Sequence, residues 1–400
     1  MSGNNIKLVI LVLFFPIFAN CMTISVKDSI TYDSDFECVK LSNDFIIEST
    51  LKITLNDSVI YPTYTVPTEG KIFLNNIPQN SLLVIEYDCL KKNIPYIVGP
   101  KWKDFPTLDT LNQSHHDLIG IVSNPPKPIG RGKSARSTAV GRFAKENSIY
   151  LIEVESLKSN VTIEQIAGLN PDIFVIVAFK ILPEKLLSLP KFGSINLHAS
   201  LLPKYRGAGP IQWALMNGDK KTGVTIFQLR KEVDAGNILM QKEILINPED
   251  DMLSLGNRIS QEGAQLIPIV LDNIEVGKVE PITQDESEIS FAPKITKSMS
   301  EIKWDWSNTK IHNWVRGLNP YPGMYTYFKG RRIRIHKTFP LEGQAKTPGQ
   351  VMEFSKDSIT ISTGYNLLQI LEIQVEGKRR MSSTEFINGI DIKPGDILKK

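Results

Sequence analysis

The chain has 400 residues, of which 42% are hydrophobic and 22% charged, an ordinary globular composition with enough length for two or three domains with sizeable cores. A formal net charge of +3 excludes a strongly basic or acidic protein, so any nucleic-acid site has to come from local clusters. Cys21, Cys38 and Cys89 lack CxxC or Cys/His spacing, which argues against a zinc site, and the cysteine-free remainder suits a cytosolic enzyme.

Residues 8–19, LVILVLFFPIFA, form an apolar run between Lys7 and Cys21. So close to the first residue, it reads as a secretory signal of lipoprotein type over residues 1–21. The run is short for a membrane-spanning helix, and Pro16 interrupts it. The alternative is a buried helix or strand of the folded protein. Residues 22–90 carry runs such as STLKITL, VIYPTYTV and SLLVIEY, broken by Pro and Gly. They predict a small β-rich, sandwich-like module with no evident chemistry.

From about residue 105 the pattern changes. DLIGIVS (117–123), IYLIEVES (149–156), DIFVIVAF (172–179) and SINLHAS (194–200) read as strands. SARSTAVGRFAKENS (134–148), TIEQIAGLN (162–170) and PEKLLSLP (183–190) read as helices. Strands alternating with helices, some apolar on both faces, predict an α/β domain with a Rossmann-like, mostly parallel sheet over residues 92–282. Residues 252–277 have apolar side chains at helical spacing, and Pro268 predicts a kink or break there. TQDESEIS (283–290) reads as part of a linker over 283–296. EIKWDWS, RIRIHKTF, SITIST and LLQILEIQV then read as strands of a β-rich domain over 297–400, with one helix at 308–319.

Asn196 and His198 interrupt an otherwise apolar strand. With a side-chain period of two they share one face, while Ile195 and Leu197 take the other. Ligands of open parallel sheets bind beyond the carboxyl ends of strands. The pair therefore aims an amide and an imidazole at one substrate atom. The plain alternative is a strand-end pair satisfied by neighbouring backbone. Downstream, GVTIFQL (223–229) reads as a strand, and Asp234 precedes Gly236 at a tight turn. An Asp bonding its own turn backbone is the plain alternative there.

Together, INLHASLLPKYRGAGPIQWALMNGDKKTGVTIFQL and VDAGNIL closely resemble the 10-formyltetrahydrofolate-dependent formyltransferases. IVSNPPKPIGRGKSARSTAV is similar to the inserted loop of the methionyl-tRNA formyltransferases within that family. VIVAFKILPEKLLSLPKFGSINLHAS resembles the strand and helix before their active site. ISFAPKITKSMSEIKWDWSNTKIHNWVRGLNPYPGMYTYFKGRRIRI and LQILEIQVEGKRRMSSTEFINGI resemble their linker and C-terminal domain. The resemblance covers about residues 105–400.

The resemblance implies an OB-like β-barrel as the C-terminal domain. The implied reaction is transfer of formyl from 10-formyltetrahydrofolate to the α-amino group of initiator methionyl-tRNA, for translation initiation. Asn196, His198 and Asp234 would be catalytic: the amide and a protonated imidazole donate to the oxyanion, and the carboxylate favours the charged ring and helps move the proton off the amine. Ser200, Leu201, Leu202, Pro203, Tyr205, Arg206 and Gly207 would shape the folate site, with Ala178 and Phe179 against the pterin. No metal is implied. Lys127, Arg131, Lys133 and Arg136 would meet the acceptor stem, and Arg331, Arg332, Arg334 and Arg379 would contact phosphates, making binding salt-sensitive. The plain reading of each basic cluster is a solvated surface. His115, His116, His312 and His336 read as structural or surface residues. A cytoplasmic monomer follows, with tRNA and folate as partners and no stable membrane partner, against which the signal-like segment stands.

Family members begin with a strand, a GTP-containing loop and FAVP, whereas this chain has FPTLDTL (105–111) from that region. Either residues 94–99 replace the first strand, or two unrelated pieces are joined. Two other readings remain. One is a formyltransferase for another amine, such as an amino sugar nucleotide or glycinamide ribonucleotide, to which the C-terminal NPYPG and GKRRMS are foreign. The other is a non-catalytic tRNA-binding product.

Overall fold

The structure, a computed structural model, describes residues 7–12, 23–31, 39–40, 46–55, 58–60, 64–66, 71–73, 82–90, 106–128, 135–177 and 182–399. β1 (Lys7–Val12) comes first. Seven strands follow: β2 (Thr23–Thr31), β3 (Val39–Lys40), β4 (Ile46–Leu55), β5 (Ser58–Ile60), β6 (Tyr64–Val66), β7 (Lys71–Phe73) and β8 (Leu82–Leu90). They pair antiparallel in two sheets of their own, β2-β8-β4-β5 and β3-β7-β6.

The chain continues through α1 (Pro106–Gln113), β9 (Asp117–Ser123), a short hairpin of β10 (Lys127–Pro128) and β11 (Ala135–Arg136), α2 (Ala139–Glu146), β12 (Leu151–Glu153), α3 (Asn160–Gly168), β13 (Ile173–Val177) and α4 (Glu184–Leu187). Then come β14 (Ser194–His198), α5 (Pro210–Asn217), β15 (Lys221–Gln228), β16 (Ile238–Leu245) and α6 (Met252–Glu275). The main sheet has the order β12-β9-β1-β13-β14-β15-β16. Its first five strands run parallel, and β15 and β16 are antiparallel.

The signal-like reading is corrected here. Lys7–Val12, the start of the apolar run, is the sheet's inner strand, with Leu8 opposite Leu118 of β9 and Ile173 of β13. Leu8 is 0% exposed. Asp172 anchors the strand's start, its Oδ2 accepting from the Lys7 N–H at 2.9 Å. The physical reason for the misreading is composition: a parallel strand covered on both faces is as continuously apolar as a signal segment. The sheet therefore draws on residues 7–12 as well as on the expected 92–282, with the small β module lying between them in sequence. Residues 94–99, the other candidate for this strand, and residues 13–22 lie outside the described residues.

Both faces of the sheet are covered. Leu108 and Leu111 of α1, Val140 and Phe143 of α2, and Ile267, Val270 and Leu271 of α6 pack on one face with Leu8, Val175 and Ile195. Ile166 of α3, Leu186 of α4 and Leu182 just before α4 pack on the other with Val122, Phe174 and Ile176. Of the expected kink or break at Pro268, the break does not occur: α6 runs on through it. Burial of Ile267, Val270 and Leu271 around it offsets the missing N–H. No described helix is long and apolar enough to cross a membrane.

The C-terminal region holds α7 (Asn308–Leu318), β17 (Met324–Phe328), β18 (Arg331–Leu341), β19 (Val351–Phe354), β20 (Ile359–Ser362), β21 (Leu367–Val375), β22 (Met381–Ser382) and α8 (Ser383–Gly389). The strands form an antiparallel sheet, β17-β18-β21-β20-β19, with β22 on β21. They enclose a core that includes Ile311, Val315, Ile335, Ile361, Ile370 and Phe386. EIKWDWS does not form the expected strand. It makes a bridge from Glu301 to Tyr325 and buries Trp304, whose indole N–H donates to Thr326 Oγ1 at 3.0 Å. Met216 of α5 belongs to the same core, and Asn319 Nδ2 donates to Asp251 Oδ2 at 2.9 Å, so the two domains share a packed contact.

Candidate active site

β14 lies where the sheet changes direction, parallel to β13 and antiparallel to β15. Ile195 and Leu197 enter the core on the α6 side. Gly263 of α6 lets Leu197 in, since a Cβ there would lie 2.8 Å from Leu197 Cδ1. Asn196 and His198 take the opposite face, as the two-residue period requires. The Asn196 side chain is half-buried, and its amide has no hydrogen-bond partner among the described residues.

His198 is 7% exposed, with its ring edge-on to Phe227 at 6.3 Å between centroids. Its Nε2 lies 2.9 Å from the Tyr205 carbonyl oxygen. A carbonyl only accepts, so Nε2 carries the hydrogen and Nδ1 is the basic nitrogen of the neutral ring. Nδ1 faces Asp234, 3.9 Å from Oδ2. Burial holds the imidazole below its ordinary pKa, while the Asp234 charge and the Tyr205 carbonyl pull the other way. The net direction is downward, so the resting ring is neutral. The expectation of a His198 already protonated is corrected accordingly: the ring starts as a base.

Asp234 stands in the left-handed region at φ +53°. Its Oδ2 accepts the Gly207 N–H at 2.8 Å. Residues 200–207 run between His198 and Asp234, and most of their side chains turn inward. Ser200 Oγ donates to the Lys204 carbonyl at 2.6 Å. Leu202 is buried against Phe227 and Ile238. The Tyr205 hydroxyl donates to Asp219 Oδ2 at 2.7 Å and accepts from Asn217 Nδ2 at 3.0 Å; burial and Asp219 push its pKa up to about 12. The Arg206 guanidinium bonds Gln284. Leu201 packs near Gly223, and Leu201 and Pro203 are half-buried. What the loop chiefly presents toward Asn196 is therefore backbone. Ala178 and Phe179 lie outside the described residues.

Several residues that shape this loop carried no motif signal. Thr225 Oγ1 donates to the Ser200 carbonyl at 2.6 Å and accepts from the Leu202 N–H at 3.1 Å. Gln241 Nε2 donates to the Leu202 carbonyl at 2.7 Å. The presumed linker lies directly on the loop: Tyr205 N donates to Ser290 Oγ, Arg206 N to the Ser290 carbonyl, and Ala292 N to the Arg206 carbonyl. Only the proximity of the linker in sequence to the end of α6 could have hinted at this. Gly207 sits at φ +126°, and a Cβ there would lie 2.6 Å from the Ala292 carbonyl oxygen. Gly207→Ala is therefore expected to destabilise by about 1–3 kcal/mol, read as a lower urea midpoint at unchanged slope. An unchanged midpoint would show the linker free to move.

The basic residues divide into two groups. Arg136 is exposed on the hairpin, opposite Lys127, while Arg131 and Lys133 lie outside the described residues. On β18, Ile333 and Ile335 are buried, and Arg332 and Arg334, half-buried, take the opposite face, while Arg331 is exposed at the strand's start. Arg332 pairs with Glu376 at 3.0 Å and Arg379 with Glu385. Such exposed pairs are weak and can exchange a carboxylate for a phosphate. His336 is buried, with Nδ1 on Asn319 Oδ1 and Nε2 on Gln374 Oε1, and His312 lies beside Thr338; burial pushes each down to about 4. His115, His116 and Glu275 bring ligand-type atoms within 4.8 Å of one another. That cluster lies at the amino end of β9, away from Asn196 and His198. There His116 Nε2 and Asp272 Oδ1, 2.9 Å apart, tie the turn before β9 to α6.

The family described as Formyl transferase matches residues 101–271, and that described as Formyl transferase, C-terminal domain, matches residues 294–391. A methionyl-tRNA formyltransferase from Geobacter metallireducens is 38% identical over 291 residues, covering 72% of this chain and 93% of that protein. One from Thermodesulfovibrio yellowstonii is 43% identical over 293 residues, covering 72% and 94%. Among solved structures, WlaRD, a sugar 3N-formyl transferase crystallised in the presence of dTDP and 5-N-formyl-THF, matches with a TM-score of 0.51 at 18% identity, covering 66% of this chain and 93% of that one. That last likeness bears on the fold alone.

Proposed function

The chain belongs to the methionyl-tRNA formyltransferase family, and on that premise we propose that it moves the formyl group of 10-formyltetrahydrofolate to the α-amino group of initiator methionyl-tRNA, with Asn196, His198 and Asp234 as its catalytic residues. The observation that carries the residue roles is the buried imidazole, with Nε2 committed to the Tyr205 carbonyl and Nδ1 facing Asp234, beside the Asn196 amide, which has no partner among the described residues.

The amine nitrogen attacks the formyl carbon, forming a C–N bond while the carbonyl electrons move onto oxygen. Asn196 donates to that oxyanion. His198 Nδ1 takes the proton from the attacking nitrogen, directly or through one water. Asp234 stabilises the imidazolium so formed. Collapse re-forms the carbonyl and breaks the bond to N10 of the folate, and Nδ1–H returns its proton to N10. No step calls for a metal. Backbone groups of residues 200–207, with Leu201 and Pro203, form the wall for the folate.

The Lys127–Arg136 hairpin and the β18 arginines provide the phosphate contacts, and the match of the C-terminal domain favours tRNA over a sugar nucleotide as the amine's carrier. Both substrates favour the cytoplasm as the place where the enzyme works. Transfer of labelled formyl to initiator methionyl-tRNA by the purified chain tests the reading, and no transfer under any salt condition would overturn it. Raising salt from 50 to 200 mM is expected to weaken tRNA binding roughly tenfold or more. A flat salt response would count against the basic contacts.

A further inference from the structure

We propose that Gln284, in the segment between α6 and the C-terminal domain, is a positioning residue that sets the carboxylate of Asp234 against His198. The inference rests on the formyl-transfer roles of Asp234 and His198.

Gln284 is 6% exposed, and its amide uses all four of its hydrogen-bonding positions. Oε1 accepts from Arg206 Nε at 3.1 Å and Nη2 at 2.7 Å. Nε2 donates to the Asp234 carbonyl at 2.8 Å and the Gly236 carbonyl at 2.7 Å. A guanidinium only donates and backbone carbonyls only accept, so the orientation of the amide is fixed by chemistry.

The placement of these bonds gives them their meaning. Three consecutive residues divide the site between them: the Tyr205 carbonyl holds His198 Nε2, the Arg206 side chain holds Gln284, and the Gly207 N–H holds Asp234 Oδ2. Gln284 closes the circuit by holding the backbone of the Asp234 turn. On its far side the turn packs directly on β15, where a Cβ on Gly236 would lie 1.6 Å from the Gln228 carbonyl oxygen. Without Gln284, two buried carbonyls and a half-buried guanidinium lose their partners together. The turn then has to move to find replacements, and it takes Asp234 with it. A displacement of about 1 Å at a catalytic group costs on the order of 100-fold in rate.

Two variants of the full-length protein test this. Gln284→Met removes both sets of bonds at similar volume. Gln284→Glu keeps an acceptor for Arg206 but loses both donors. Each is expected to lower kcat by about 10–100-fold, with KM for tRNA and folate changed less than roughly threefold. Asp234 is the charged group that acts on His198, alongside the Tyr205 carbonyl and the Phe227 ring edge. Its retreat is therefore expected to move the acid limb of the kcat/KM profile to lower pH, a shift that general loosening of the fold would not give. Parental kcat, or a kcat loss with the acid limb unmoved, overturns the proposal. His198→Ala measured in parallel separates the two levels. An inactive His198→Ala beside fully active Gln284 variants removes only the positioning role, whereas an active His198→Ala removes the catalytic assignment beneath it.

Discussion

Replacing His198 with alanine is expected to lower kcat for formyl transfer by about 10²–10⁴-fold, the range for loss of a positioned general base. The same change deprives the buried Tyr205 carbonyl of its donor, which costs about 1–3 kcal/mol, so a thermal melt should accompany the assay. The pH dependence carries the sign of the mechanism. A base must be unprotonated, so kcat/KM rises with pH through the pKa of His198 in the free enzyme. Burial holds that pKa below its ordinary value, and the acid limb of the parent is therefore expected to lie below the roughly 6.5 of a free imidazole. Asp234→Asn removes the charge that opposes the shift, so its acid limb should lie lower still while its kcat falls. A His198→Ala variant as active as the parent, or a parental limb well above pH 6.5, would sink this assignment.

Leu8→Asp is expected to abolish the folded protein. Leu8 is 0% exposed in the inner strand of the sheet. Loss of its side chain costs about 2–5 kcal/mol, and an unpaired buried carboxylate adds several more. Together these approach the roughly 5–15 kcal/mol that holds a domain folded. Leu8→Val, which keeps the strand and most of the contact, should melt within a few degrees of the parent. Circular dichroism on both variants decides the matter. A Leu8→Asp protein with the parental melting temperature would mean that Lys7–Val12 does not belong to the sheet.

The sequence made some parts of this molecule plain and hid others for physical reasons. Strand β14, with Asn196 and His198 on one face, was legible because alternation is local. So were β13, α7 and β21, whose periodicity is complete within one segment. β1 was misread because KLVILV carries no mark of its partners; pairing with residues 118 and 173 is a long-range property. Asp234 taken alone looked like any turn aspartate and was singled out only through the family resemblance; the fold sets it 3.9 Å from an imidazole. Gln284 was hidden more deeply, since a glutamine in a polar linker has no pattern and its meaning lies in four bonds to distant chain. That Arg332 and Arg379 pair with Glu376 and Glu385 across the sheet and turn could not be read from composition.

The separation of β1 from its partners has a consequence for how the protein comes into being. Leu8 waits for Leu118 and for Ile173, with the small β module made in between. At equilibrium this is cheap, because each doubling of a flexible loop adds only about 0.6 kcal/mol of closure entropy. In time it is costly, because pairings of such high sequence separation slow folding. During synthesis, this strongly apolar strand leaves the ribosome before the rest of the sheet and stays unpaired until more than a hundred further residues have followed. At about 5–20 residues per second that is an interval of many seconds, during which a chaperone or a membrane-targeting factor could bind the same six residues that later sit at the centre of the enzyme.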